Sequence, residues 1–328
     1  MITKERDLST CAPGDLNGVF TPLLVPWDEK GQVNEGELRR FVDWLIRRGI
    51  HGVYANGSIG EFTRLTSAER RRVVKIVCEE AAGRVPVLAG AGEANIAETL
   101  EACAAYTEYG ARAVSVISPF YYPLSSNSVY AYYAELAKNS PIDLTLYNIP
   151  AFASPIDVNT VRMLAEFPRI IGIKDSTGDV ASMIRMITAV RPLRPDFAFL
   201  AGWEAVFAPM LMIGCNGGVF GSSNAVPEVL CSIFELVRSG NCGQAMRTQY
   251  KLNPLFYAML DDVQFPEGFR AAAQCRGFRF GKSRQPMTPS QEMDLSTRQQ
   301  EIDAAIAQLL AWNRESSAIG EPLPVADL

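Results

Sequence analysis

Eight short apolar runs alternate with eight amphipathic stretches along this chain, and no other feature limits its fold as strongly. The strand-like runs are Gly18–Val25, Gly52–Ala55, Val85–Ala89, Ala113–Ile117, Leu144–Tyr147, Ile170–Lys174, Phe197–Ala201 and Gly217–Phe220. Helical patterns lie between them at 35–48, 66–82, 95–109, 126–138, 157–166, 179–190, 203–213 and 226–238. Runs this apolar and β-branched suit strands buried on both faces, which is the condition of parallel sheets. Eightfold strand–helix alternation predicts an α/β fold of the (β/α)8 (TIM) barrel class. A doubly wound sheet is the alternative. Its GxGxxG turn is missing after the first strand, where Thr21-Pro22-Leu23 stands. Gly90-Ala91-Gly92 after the third strand is a fragment of that signal and reads as a tight turn.

Beyond residue 240 the strand signal stops, and 241–261, 266–276 and 290–313 read as helices, with Pro266 at a first-turn position. The expected division is a barrel with an N-terminal tail over 1–239 and a helical appendage over 240–328. Residues 314–328, with one Gly and two Pro, read as frayed.

Composition narrows the function. The net charge of −5 gives no attraction to nucleic acid or an anionic membrane. The basic run Arg70-Arg71-Arg72 reads as a solvated helix face. Seven cysteines without CxxC spacing suit reduced thiols in the cytosol. The start carries no apolar leader, and no window has the length of a membrane span. The single histidine, His51, stands at the start of the second strand, away from the catalytic face of a barrel, and reads as structural. One histidine does not supply the usual multi-histidine metal sites, so neither a metal nor another cofactor is expected.

In a barrel, chemistry sits where strands end. The sixth strand ends at Lys174, one of seven lysines and the one that closes an apolar β-branched run. Burial penalises an ammonium, which is one way a lysine becomes a nucleophile toward a carbonyl. A lysine whose head reaches solvent from a strand end is the competing reading. The adjacent fifth strand ends at Tyr147, and a phenol can donate and accept the proton such chemistry moves. Ser58 could link Tyr147 to a second tyrosine, Tyr121, as a proton relay. Gly57-Ser58-Ile59-Gly60 can expose consecutive N–H groups to a carboxylate, or its glycines can serve only where φ is positive.

These segments resemble the dihydrodipicolinate synthase / N-acetylneuraminate lyase family of pyruvate-dependent class I aldolases. The resemblance covers about residues 17–290 and rests on Gly57-Ser58-Ile59-Gly60-Glu61, Pro119-Phe120-Tyr121-Tyr122-Pro123, Tyr147-Asn148-Ile149-Pro150, Gly172-Ile173-Lys174-Asp175-Ser176-Thr177-Gly178-Asp179 and Gly217-Gly218-Val219. It implies a barrel with a C-terminal helical bundle, assembled as a homotetramer (a dimer of dimers). It implies a Schiff base between Lys174 and a 2-oxo acid, Tyr147 as acid/base, and Ser58 and Tyr121 as relay, Tyr121 entering a neighbouring subunit. The amides of Ser58 and Ile59 would hold the substrate carboxylate. Ser176, Glu204, Phe220 and Ser222 are the candidate contacts to the rest of the substrate.

Three positions depart from the relatives. Ile59 replaces a threonine of dihydrodipicolinate synthases, and Phe152 replaces their carboxylate-reading arginine, whose planar fork a phenyl ring cannot imitate. Ala205 replaces one of two adjacent acids of sialic acid lyases, leaving Glu204. The expectation is a cytosolic lyase, aldolase or dehydratase, for a 2-keto-3-deoxy sugar acid or related 4-hydroxy-2-oxo acid, with an aldehyde as the other small-molecule partner. Dihydrodipicolinate synthase and a non-catalytic 2-oxo-acid-binding barrel are the alternatives.

Overall fold

The computed structural model describes residues 16–318. The expectations for the leader, Cys11 and the frayed segment from residue 319 onward lie outside them. The strands are β1 (Gly18–Pro22), β2 (Gly52–Ala55), β3 (Val87–Gly90), β4 (Ala113–Ile117), β5 (Leu144–Asn148), β6 (Ile170–Asp175), β7 (Ala198–Ala201) and β8 (Gly217–Val219). Between and after them run helices α1 (Glu35–Arg47), α2 (Ser67–Ala81), α3 (Ile96–Glu108), α4 (Ser126–Asn139), α5 (Val158–Leu164), α6 (Val180–Val190), α7 (Phe207–Met212) and α8 (Pro227–Arg238). All neighbouring strands pair in parallel, and β8 returns to β1 to close the barrel. Three further helices follow: α9 (Cys242–Leu260), α10 (Glu267–Cys275) and α11 (Pro289–Ala318). Among the described residues, no helix is long and apolar enough to cross a membrane.

Two apolar layers hold the barrel. Its interior is filled by Leu16, Phe20, Tyr54, Leu88, Ala113, Ile171, Ala198, Leu200 and Val219. A larger cluster lies mainly between sheet and helices and extends into the C-terminal helices through Phe269, Ile302, Ile306 and Leu309. Helix starts are fixed locally. Asn34, Thr66, Asn95, Ser125, Asp157 and Asp179 each accept a hydrogen bond from a first-turn amide, and Thr66 with Glu69 forms a reciprocal capping box. Each such cap contributes about 1 kcal/mol.

The structure departs from the sequence reading in several places. β1 ends at Pro22, although the Leu23 amide still donates to the Tyr54 carbonyl at 2.9 Å and Leu23, Leu24 and Val25 stay buried in the core. The helix expected from 203 starts as a 3-10 turn at Glu204–Val206 and becomes α-helical at Phe207. α11 continues past 313 to Ala318, since no Gly or Pro interrupts 290–318. Arg70 is not a solvated charge. Its guanidinium is bound to the buried carboxylate of Glu93 and donates to the Phe62 carbonyl at 2.9 Å, whereas Arg71 and Arg72 stay outside on Glu101 and Glu35.

One irregularity sets which residues stand opposite each other at the ends of β5 and β6. Leu144 pairs with Ile170 but Thr145 with Gly172, so Ile171 is an extra residue in β6. This bulge shifts the register by one, and Tyr147 then pairs with Lys174, and Asn148 with Asp175.

Candidate active site

Lys174 sits in the penultimate position of β6 and is 5% exposed. The other described lysines (Lys30, Lys75, Lys138, Lys251 and Lys282) are all exposed. Its Nζ lies 4.0 Å from the centroid of the Tyr147 ring and 5.1 Å from that of Tyr54. The Tyr147 hydroxyl and Ser58 Oγ are 3.2 Å apart. Lysine, tyrosine and serine from β6, β5 and the loop after β2 are thus gathered at one end of the barrel.

The backbone around Lys174 is held from both sides. Asn148 Nδ2 donates to Asp175 Oδ2 at 2.6 Å, and Asn148 Oδ1 accepts from the Ile156 amide at 3.0 Å. The other Asp175 oxygen accepts from the Thr177 amide at 3.1 Å and from the Thr177 hydroxyl. Ser176 is half-buried, and its amide donates to the Asn148 carbonyl at 2.9 Å. Gly202 makes room for this group. A Cβ there would overlap the Ser176 hydroxyl and come within 3.0 Å of Lys174 Cε and the Asp175 carbonyl.

The loop after β2 is tight, but its glycines do not supply the left-handed conformations. Those belong to Asn56 (φ 56°) and Glu61 (φ 54°). Gly57 and Gly60 are there for close approach, to the Tyr54 ring and to the Leu23 carbonyl, 3.0 and 2.7 Å from where a Cβ would stand. The Glu61 amide donates to the Ser58 carbonyl at 3.0 Å and closes the turn. The Glu61 carboxylate is bound by Arg64 and by Arg270 of α10, which tethers the loop to the C-terminal helices.

Glu204 is buried, and its Oε1 accepts from the Ser222 amide at 2.9 Å and from the Ser222 hydroxyl. Burial pushes its carboxyl up to about 7, against the lowering effects of the Ser222 and Gly221 donors and the Lys174 charge. The folded protein therefore holds a proton on Glu204 that an unfolded chain has released. The Glu204 contribution to stability falls as pH rises from about 4.5 through 7, by about 3 kcal/mol. Glu204→Gln removes this cost. The variant should gain up to about 3 kcal/mol relative to wild type between pH 4.5 and 8. Denaturant midpoints across that range test this, and a constant difference contradicts it.

The remaining expected residues are distributed as follows. Ile59 is buried, its Cδ1 lying beside Gly221. Phe152 is 48% exposed and, with Ser58, Phe62, Arg64, Phe120 and Phe265, lines a cleft of about 420 Å³. Phe220 is wholly buried, its ring 4.3 Å from that of Phe207. Tyr121 is not buried with Tyr147 and Ser58. It is 84% exposed and meets the Tyr122 ring edge-on at 4.9 Å. His51 accepts from the Val19 amide at 3.2 Å and packs edge-on against Phe234, at the opposite end of β2 from the Ser58 loop. Burial holds its imidazole below the usual range. Among the described residues, no cluster of His, Cys, Asp and Glu could hold a metal ion. Tyr54 is an aromatic neighbour of Lys174 that the sequence reading missed. Its only sequence signal is an aromatic residue three positions before Gly57.

Comparison with known proteins agrees with this geometry. The sequence model of the dihydrodipicolinate synthetase family matches residues 15–308. A 4-hydroxy-tetrahydrodipicolinate synthase of Methanopyrus kandleri is 31% identical over 280 residues, covering 84% of this chain and 92% of its own. An N-acetylneuraminate lyase of Salmonella paratyphi B is 32% identical over 240 residues, covering 73% and 80%. Among solved structures, YagE, a prophage protein of the dihydrodipicolinic acid synthase family from E. coli K12 in complex with pyruvate, superposes with a TM-score of 0.83 at 27% identity, covering 89% of this chain and 98% of its own. The chain belongs to the dihydrodipicolinate synthetase family and is a Schiff-base-forming lyase of the class I aldolase type.

Proposed function

We propose that this chain cleaves, or forms in reverse, a 2-keto-3-deoxy sugar acid or a closely related 4-hydroxy-2-oxo acid, with pyruvate as one product. The observation that carries the reading is the buried Lys174 beside Tyr147, which is itself joined to Ser58. Lys174 attacks the C2 carbonyl. The carbonyl oxygen leaves as water, and a protonated imine forms. Tyr147 takes the proton of the C4 hydroxyl, and the C3–C4 electron pair flows into the imine as the aldehyde departs. The resulting enamine is protonated at C3 and hydrolysed to pyruvate. A dehydratase would share the imine and expel a hydroxyl instead.

Ser58 relays the proton to Tyr121 of a neighbouring subunit in a cytosolic homotetramer. The high exposure of Tyr121 on its own chain suits that arrangement. The amides of Ser58 and Ile59 hold the C1 carboxylate. Ser176 and Glu204 receive substrate hydroxyls, Glu204 being oriented by Ser222. Phe220 supports this end of the barrel from the core side. Pyruvate bound to YagE, a structural relative, supports the 2-oxo acid half of the reading.

Phe152 disfavours a second substrate carboxylate, because the arginine that lines its cleft, Arg64, is already bound to Glu61. The test compares cleavage of 2-keto-3-deoxygluconate with condensation of pyruvate and aspartate semialdehyde. A higher kcat/KM for the sugar acid is expected, and efficient use of the semialdehyde overturns the reading. Tyr147→Phe should lower kcat about a hundredfold while 2-oxo acid still forms the imine. Steady-state kinetics alongside adduct mass check both halves of that expectation.

A further inference from the structure

Tyr54 has no role in the proton path above, yet its ring faces the nitrogen that reacts. Its side chain belongs to the apolar cluster filling the barrel, directly below the rim. Its phenol is hydrogen-bonded by Ser115, and its ring meets Tyr147 edge-on, centroids 6.3 Å apart. Lys174 Nζ therefore has aromatic rings on two sides, at 4.0 and 5.1 Å from their centroids. Glu204, whose carboxyl feels the Lys174 charge, accepts from the Ser222 amide at 2.9 Å.

We infer that the Tyr54 ring, with that of Tyr147, forms a two-sided aromatic seat that holds the positive charge on the Lys174 nitrogen through Schiff-base formation. The inference rests on Lys174 being the Schiff-base lysine. The chemistry keeps one positive charge throughout. The ammonium condenses with the carbonyl, water leaves, and the protonated imine carries the charge the ammonium had. A planar protonated imine can lie along a ring face as a guanidinium does, so the rings favour it over the compact, more strongly hydrated ammonium, and they do so without competing for its proton as a neighbouring carboxylate would. The Ser115 bond then fixes the tilt of the ring rather than supplying a proton.

The test replaces Tyr54 with phenylalanine and with mono-, di- and trifluorinated phenylalanines, which drain the ring face while nearly preserving its shape. The readout is the pyruvate concentration giving half-maximal borohydride-trapped adduct by intact mass, alongside kcat, KM and the thermal midpoint. Tyr54→Phe should trap adduct much as wild type does. Each added fluorine should then raise the half-maximal concentration, by roughly two- to thirtyfold across the series. A flat series overturns the inference, and so does a series that shifts only the thermal midpoint. Loss of adduct on Tyr54→Phe also overturns it, by assigning the role to the hydroxyl. Wild type that traps nothing overturns both the inference and the Schiff-base reading, so the two failures are distinguishable.

Discussion

Lys174→Ala is expected to lower kcat/KM for the physiological 2-oxo acid by about 10⁴-fold or more, with the fold intact. The size follows from what the lysine supplies. Without an imine, the C3–C4 electron pair has no cationic sink, and Tyr147 and Ser58 have no reaction to assist. Stability should move in the other direction or hardly at all. Lys174 is buried against aromatic rings, so removing its charge also removes a desolvation cost. An arginine at the same position would keep the charge and still be inactive, because a guanidinium does not form the imine. Retention of more than about a tenth of wild-type activity in Lys174→Ala would assign the chemistry elsewhere.

Arg270→Met is expected to destabilise the protein by about 3–5 kcal/mol. Arg270 and Glu61 are both almost wholly buried and pair with each other. Arg270 also contacts Glu267 at 3.2 Å and donates to the Val25 carbonyl at 3.2 Å. Removing it leaves a carboxylate inside the protein with only the partly exposed Arg64 to balance it. The double variant Glu61→Gln, Arg270→Met should recover part of the loss, because only Glu267 of the two carboxylates that Arg270 balances then remains charged. Glu61 closes the turn that carries Ser58, so the single variant should also lose activity under conditions where it is still folded. Denaturant unfolding of wild type and the two variants checks this. A single variant within about 1 kcal/mol of wild type would mean the pair does not hold the loop.

Much of this was legible from sequence because barrels reveal themselves locally. Strands buried on both faces are short apolar runs, and their C-terminal ends mark the catalytic rim, so Lys174, Tyr147 and Ser58 could be named together. The features that were not legible are tertiary. The β6 bulge at Ile171 has no composition of its own, yet it pairs Tyr147 with Lys174. Arg70 resembles its exposed neighbours in sequence, and only Glu93, twenty-three residues on, distinguishes it. Tyr54 reads as a core aromatic because it is one, and its second contact depends on where β6 ends. Gly57 and Gly60 invite a reading in terms of φ. Their true constraint, close approach to Tyr54 and Leu23, depends on neighbours that only the folded loop brings near.

The central claim is that Lys174 forms the covalent intermediate. Borohydride reduction in the presence of pyruvate, followed by peptide mass mapping, tests it most directly. One reduced pyruvyl adduct per chain is expected, on the peptide containing Lys174, and none in Lys174→Ala. An adduct on another lysine, or no adduct with any 2-oxo acid, would contradict it.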